Sequence, residues 1–241
     1  MEIALLAFVK DENKYLEEWI NHYRSIGISN VYLGDNNSTI PIKTTIDKLG
    51  IPNISVTTWK DENIGGQMRW YEYAIKHLIK EPWVVVVDID EFTILRGYKI
   101  LQEFISSIRA EQENIGAIGL YWRLYGSPSL IENRIPALEY KHYHENGHIK
   151  SIIKVSHFIG FKDPHFPTVR GEVIDENGKY LNGPIGTHTS RNAWIHHNWS
   201  RSLEEYKEKM IRGRGDKVPH SYDLQEFENY NKRCVLIGNK E

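Results

Sequence analysis

With one cysteine, Cys234, among its 241 residues, the chain has no internal disulfide, which fits a reducing compartment. It also lacks an excess of either charge. Thirty Lys and Arg face 32 Asp and Glu, a net charge of −2, so no basic field argues for a nucleic-acid partner. No apolar run is long enough to span a bilayer. The opening MEIALLAFVKDE is too short for that, has no basic segment ahead of it, and reads as a first strand. The expectation is a cytoplasmic protein, soluble or peripheral to a membrane. A Gly-rich Walker loop near the N-terminus and a His-Glu-x-x-His pair are both missing, which argues against P-loop and zinc-hydrolase chemistry. Repeats and low-complexity linkers are missing too, so residues 1–241 read as a single domain.

What the chain does have is concentrated in EPWVVVVDIDEF, residues 81–92. The run Val84 to Val87 is β-branched and apolar without a break, the composition of a strand buried on both faces of a parallel sheet. Ligands bind at the carboxyl ends of such strands. Side chains alternate along extended backbone, so Asp88 and Asp90 can face one side while Ile89 returns to the core. Carboxylates are the hard ligands that Mg²⁺ or Mn²⁺ takes, with positions left for water and substrate phosphates. Turn capping is the bland alternative, and the buried strand ahead of the pair argues against it. Seven Trp and 14 Tyr add planar faces suited to bases or sugars, although most belong to a core.

The first half alternates strands and helices. Strands are expected at Ile3–Val9, Asn30–Leu33, Ile54–Trp59 and the valine run. Helices are expected at Tyr15–Ser25, around Thr44–Leu49, and from Gln67 to Ile79 after Gly65-Gly66. This order predicts a right-handed, doubly wound α/β sheet, mostly parallel. The second half is irregular. A helix at Lys99–Arg109, a strand at Ile115–Leu124 and an amphipathic helix at Ser202–Ile211 accompany two expected hairpins. Those hairpins are Leu138–Val155, turning at Glu145-Asn146-Gly147-His148, and Gly171–Leu181, turning at Asp175-Glu176-Asn177-Gly178.

The stretch FVKDENKYLEEWINHYRSIGISNVYLGDNNST resembles the opening of GT-A glycosyltransferases related to families 2 and 92. Asp88-Ile89-Asp90-Glu91-Phe92 is similar to their Asp-x-Asp motif. Trp122, Tyr125-Gly126-Ser127, Lys150 to Lys154, His197 and Ser202 to Tyr206 with Lys209 and Arg212-Gly213 follow their later landmarks in order. The pattern departs at His196-His197-Asn198, where relatives often show Asn-His-Tyr, and at Val155, where Pro often follows.

The resemblance implies a GT-A, Rossmann-like fold in which residues 1–95 form the nucleotide-sugar half and 96–241 the acceptor side. It implies transfer of a sugar from a nucleotide-diphosphate donor, UDP-sugar favoured, to a glycan hydroxyl in surface polysaccharide or glycoconjugate synthesis. Asp11 or Glu12 and Asp35 are then expected at the nucleotide, and Gln67 and Arg69 at the phosphates or the donor. Asp88 and Asp90 are expected to hold Mn²⁺ or Mg²⁺, with His165 as the further ligand ahead of His188 or His197. Trp122, Lys150 and His197 are further substrate-binding candidates. Lys209, Arg212 and Arg214 are expected to clamp the diphosphate on a segment hinged at Gly213 and Gly215, although basic residues also suit a helix C-terminus. Asp163, Glu172 and Asp216 are candidate bases for an inverting transfer. A nucleotide-sugar or carbohydrate-binding protein without turnover is the alternative, followed by a nucleotidyltransferase.

Overall fold

The computed structural model describes residues 1–61, 63–108, 112–187, 191–213 and 222–235. Of the residues singled out above, His188, Arg214, Gly215 and Asp216 lie outside them.

The first half follows the expected order: β1 (Ile3–Val9), α1 (Leu16–Ser25), β2 (Asn30–Asp35), α2 (Ile42–Leu49), β3 (Ile54–Thr58), α3 (Gly66–His77) and β4 (Trp83–Val86). The parallel strands lie in the order β3-β2-β1-β4. Period-2 alternation sorts their side chains into two cores. Ile3, Leu5, Ala7 and Val9 join Trp83, Val85 and Val87 beneath α1, where Leu16, Trp19, Ile20 and Tyr23 form the apolar stripe. Ala4, Leu6 and Phe8 join Val84 and Val86 on the other face, under Trp70, Tyr71 and Ala74 of α3. Helices therefore cover both faces, as the continuous apolar strands require.

The remaining elements are β5 (Glu91–Leu95), α4 (Leu101–Ser107), β6 (Ile115–Gly126), β7 (His142–Lys154), β8 (Phe158–Asp163), β9 (Phe166–Val169), β10 (Glu172–Asp175), β11 (Ala193–His197), α5 (Leu203–Arg212) and α6 (Leu224–Arg233). The sheet continues beyond β4 through β7, β6, β11 and β5. Its added pairings β4–β7, β7–β6 and β11–β5 are antiparallel, so the whole is mixed. One edge of β6 is shared by β10 along its first half and β11 along its second, both parallel to it.

Two expectations for this half are corrected. Residues 138–155 are no hairpin: β7 runs unbroken through Glu145-Asn146-Gly147-His148, pairing with β6 on both sides. The register shifts between Tyr121 and Arg123, so Asn146-Gly147 is absorbed as a bulge. The turn at Asp175–Gly178 does form, with Gly178 at φ 77°. Its return arm is a single bridge from Ile174 to Tyr180, while β10 itself joins the main sheet. A small β8–β9 hairpin stands apart and projects His165 from its turn.

Gly34 lies against the Trp70 ring, where an added Cβ would come within 2.6 Å of the indole. Gly34→Ala should therefore cost about 1–3 kcal/mol, read by urea unfolding. On β11, His196 stacks flat on Tyr125 with centroids 3.4 Å apart, and burial pushes its imidazole down to about 3. The unfolded chain takes up that proton near its ordinary value of 6.5 while the fold does not. Stability is then complete above that pH and falls progressively toward pH 3. Denaturant midpoints across this range should show the decline, and His196→Phe should make it shallower, with the other buried histidines supplying the remainder.

Candidate active site

The strands β1 and β4 end side by side, and their loops carry Lys10, Asp11 and Glu12 on one and Asp88 and Asp90 on the other. The valine strand stops at Val86 and the chain turns through Ile89-Asp90. The expected partition survives that turn: Ile89 is 1 % exposed in the core, and both aspartates face a cavity of about 440 Å³. Backbone bonds pin the turn. Trp19 Nε1 donates to the carbonyls of Asp88 and Glu91, each at 3.1 Å, and Asn198 N–H donates to the Asp90 carbonyl at 2.9 Å.

Beneath the loop lies an ion cluster. Lys150, 1 % exposed in the middle of β7, donates to Asp88 Oδ2 at 2.7 Å and stands 3.3 Å from Glu91 Oε2. Glu91 is 0 % exposed and accepts the Asp88 N–H at 2.8 Å. Burial alone would lower the Lys150 ammonium, but Asp88 and Glu91 hold it above the ordinary lysine value. Burial likewise pushes Glu91 up, against the pull of Lys150. Lys150 is thus a counter-ion under the site rather than a group facing substrate, because its ammonium is enclosed between two carboxylates. Glu91 was missed in the sequence although it follows Asp90 directly, and it faces His197 across the β5–β11 ladder.

Asp88 is the more occupied aspartate. Besides Lys150 it accepts Gln67 Nε2 at 2.9 Å and the Tyr71 hydroxyl at 3.2 Å, which ties Gln67 to the acidic turn. Asp90 is freer. Its Oδ2 stands 3.6 Å from His197 Nε2 and 3.9 Å from Lys209 Nζ, beyond hydrogen-bonding distance. Burial would raise its carboxyl, but His197, then Lys209 and Arg201, hold it well below the usual carboxylate range. Burial brings Lys209 down to about 8 in spite of Asp90. Glu12 is raised by burial although Arg212 and Arg201 flank it at 3.3 and 3.9 Å.

The opposite wall is aromatic and imidazole-rich. Trp122 of β6 packs against His148, His165 and His197, with centroids 5.2, 5.0 and 4.4 Å away. Burial pushes His165 down to about 2, and its Nδ1 is buried with no hydrogen-bond partner among the described residues. α5 closes the top. The reciprocal capping box of Ser202 and Glu205 starts it, and Lys209 and Arg212 bring their charges over the β1 loop from its last turn.

Several expected residues stand elsewhere. Both Asp35 oxygens accept backbone N–H groups, from Ser38 at 2.9 Å and Ile42 at 3.0 Å, so Asp35 caps the turn into α2. Arg69 points away to an exposed pair with Asp61 at 2.6 Å. Glu172 begins β10 level with Ile115, about 23 Å along β6 from Trp122, because β10 runs parallel to β6 and starts at its far end. Asp163 does not line the cavity itself; it accepts the backbone N–H of His165, which does, at 2.8 Å. Arg201 was not anticipated. It lies 3.4 Å over the Tyr15 ring and donates to the Ile89 carbonyl at 3.3 Å.

The model of glycosyltransferase family 92 matches residues 3–211. The chain belongs to glycosyltransferase family 92. A family 92 protein of Ricinus communis is 27 % identical over 106 residues, covering 42 % of this chain and 18 % of that protein. One of Oryza sativa subsp. japonica is 24 % identical over 104 residues, covering 43 % and 18 %. The match thus spans about a fifth of the length of these family 92 relatives. Among solved structures, Staphylococcus aureus TarS aligns with TM-score 0.41 at 13 % identity, over 65 % of this chain and 48 % of that one. Mycobacterium tuberculosis glucosyl-3-phosphoglycerate synthase, solved with Mn²⁺ and UDP, aligns with TM-score 0.38 at 11 % identity, over 64 % and 57 %.

The ion cluster makes a direct test of this family 92 site. Lys150→Met leaves the buried Glu91 and the partly exposed Asp88 without their cation and should cost about 3 kcal/mol in urea unfolding. Glu91→Gln keeps an oxygen for the Asp88 N–H and should cost clearly less. Equal, small losses for both would contradict the cluster.

Proposed function

We propose that this family 92 chain transfers a sugar from a nucleotide-diphosphate donor, UDP-sugar favoured, to a hydroxyl of a glycan in surface polysaccharide or glycoconjugate synthesis. The observation that carries the reading is the 440 Å³ cavity, where Asp88 and Asp90 meet Lys209, Arg212 and three histidines at the carboxyl ends of parallel strands. Lys209 and Arg212 supply the donors that a diphosphate needs, and Gln67 at the start of α3 adds a neutral one. Residues 1–95 contribute the nucleotide side and residues 96–241 the acceptor side.

The donor set fits a divalent cation of the kind that shares its shell with substrate phosphates. Among the described residues no three His, Cys, Asp or Glu side chains converge as a closed cage. Mg²⁺ and Mn²⁺ do not require one, since one or two carboxylates with water and phosphate oxygens suffice. Among the described residues the cations facing Asp90 stand at 3.6 and 3.9 Å, and His165 has an Nδ1 without a hydrogen-bond partner, so these two would hold the ion, with Asp88 braced behind them. When bound, the ion neutralises charge on the departing diphosphate.

The acceptor oxygen bonds to the anomeric carbon as the bond from that carbon to the diphosphate breaks. The electron pair leaves with the nucleotide, where Lys209 and Arg212 receive the charge. The hydroxyl proton passes to a carboxylate. Asp163, which accepts the backbone N–H of the cavity-lining His165, is the candidate for that role.

Calorimetry with UDP-, GDP-, dTDP- and CMP-sugars, with and without Mn²⁺, tests this. One donor should bind with metal, and Asp90→Ala should weaken it by about tenfold or more, a loss of about 1.4 kcal/mol. Arg69→Ala, outside the cavity, should leave that affinity unchanged. Failure of every donor under both conditions would sink the proposal.

A further inference from the structure

A second cavity, of about 400 Å³, opens on the other side of the Lys209–Arg212 wall, between the start of α1 and α5. The two cavities share Glu12, Asp90, Trp199, Lys209 and Arg212, so the Asp90 carboxylate borders both. Apart from that shared wall their chemistry diverges. The first cavity adds one carboxylate, Asp88, with Lys150 directly behind it, and sets Lys10 and three imidazoles around it. The second adds Asp11, Glu205 and Glu208 against Arg201 alone.

The contrast sorts ligands by charge. In the first cavity the carboxylates Glu12, Asp88 and Asp90 are matched by Lys10, Lys209 and Arg212, whereas in the second five carboxylates outnumber three cations. A diphosphate is therefore disfavoured in the second, where ionised carboxylates are acceptors suited to neutral hydroxyl donors. Acceptor capacity remains open there. One Asp11 oxygen holds the Thr39 N–H and one Glu205 oxygen serves the Ser202 cap, and the other oxygen of each accepts no hydrogen bond among the described residues. Glu205 is 5 % exposed, and its free oxygen has only Arg134 and Arg201 at 3.8 and 3.9 Å. Arg201 supplies the complementary donor, with Nη1 buried and without a hydrogen-bond partner among the described residues. Glu208 pairs with Lys14 and forms part of the rim.

We propose that this second cavity is the acceptor subsite and that it takes a neutral, hydroxyl-rich sugar in preference to an anionic one. The inference rests on the donor reading of the first cavity. An acceptor held here approaches the donor across the Asp90 wall, while Glu12, which faces both cavities, keeps its register between Arg201 and Arg212.

Saturation-transfer NMR with methyl galactoside, glucoside, mannoside and N-acetylglucosaminide, and with methyl glucuronide as the anionic comparison, tests it on the full chain. At least one neutral glycoside should bind and remain bound when UDP and Mn²⁺ are added. Thr39→Trp, which fills the exposed rim, and Glu208→Lys, which reverses its charge, should each weaken that signal by about tenfold. Neither should alter UDP affinity, which also serves as the control for folding. Displacement of the glycoside by UDP, an unchanged signal in both variants, a preference for the glucuronide, or no signal from any neutral glycoside would overturn the proposal. Absence of UDP binding to the unmodified chain would instead overturn the donor reading, and the two failures are separable.

Discussion

The arrangement depends on one buried ammonium. Lys150 sits where β7 crosses behind the turn that follows β4, and it is the positive charge that lets the buried Glu91 stand beside the partly exposed Asp88. Two adjacent carboxylates, one of them out of water, would otherwise repel each other and draw protons. With the ammonium in place, Glu91 can hold the Asp88 N–H and Asp88 can order Gln67 and Tyr71. Asp90 is thereby left as the carboxylate of the motif with the looser partners among the described residues, His197 at 3.6 Å and Lys209 at 3.9 Å. A lysine that contacts no substrate thus divides the labour between the two aspartates.

That division has an electrostatic counterpart across the α5 wall. Lys209 and Arg212 come from the last turn of a helix, where carbonyl ends already favour cations. They are drawn inward by Asp90 and Glu12 instead of being left in solvent. The same two charges separate a cavity with imidazoles from one with carboxylates, so one short helix end defines two chemically different spaces.

Much of the fold was legible in the sequence. Ile3–Val9 was bounded to the residue, and the valine run named a buried parallel strand because nothing polar interrupts it. Asp88, Asp90, Gln67, His165, His197, Lys209 and Arg212 all reached one cavity. The misreadings have a common physical origin. Asn146-Gly147 carries the local signature of a hairpin turn, and long-range pairing of β7 with β6 overrode it. Asp35 and Arg69 were assigned by their place after a strand and at a helix start, and local partners took them, backbone N–H groups in one case and Asp61 in the other. Lys150 was seen as a site residue, but whether it faced substrate depended on burial. Glu91 and Arg201 also depend on partners more than fifty residues away, Lys150 for one and Glu12 for the other, which no local pattern encodes.

The register between β5 and β11 sets Glu91 opposite His197, and Arg212 reaches back to Glu12 across the whole molecule. Read as an order of synthesis, this means that the acidic turn is made long before its counter-charges. A nascent chain ending near residue 95 carries Asp88, Asp90 and Glu91 with neither Lys150 nor Lys209 to balance them. Closure of those contacts waits on distant loops, a topology that favours slow folding over early local assembly. The acidic turn can therefore settle only after α5 has emerged, which couples completion of the site to synthesis through residue 212.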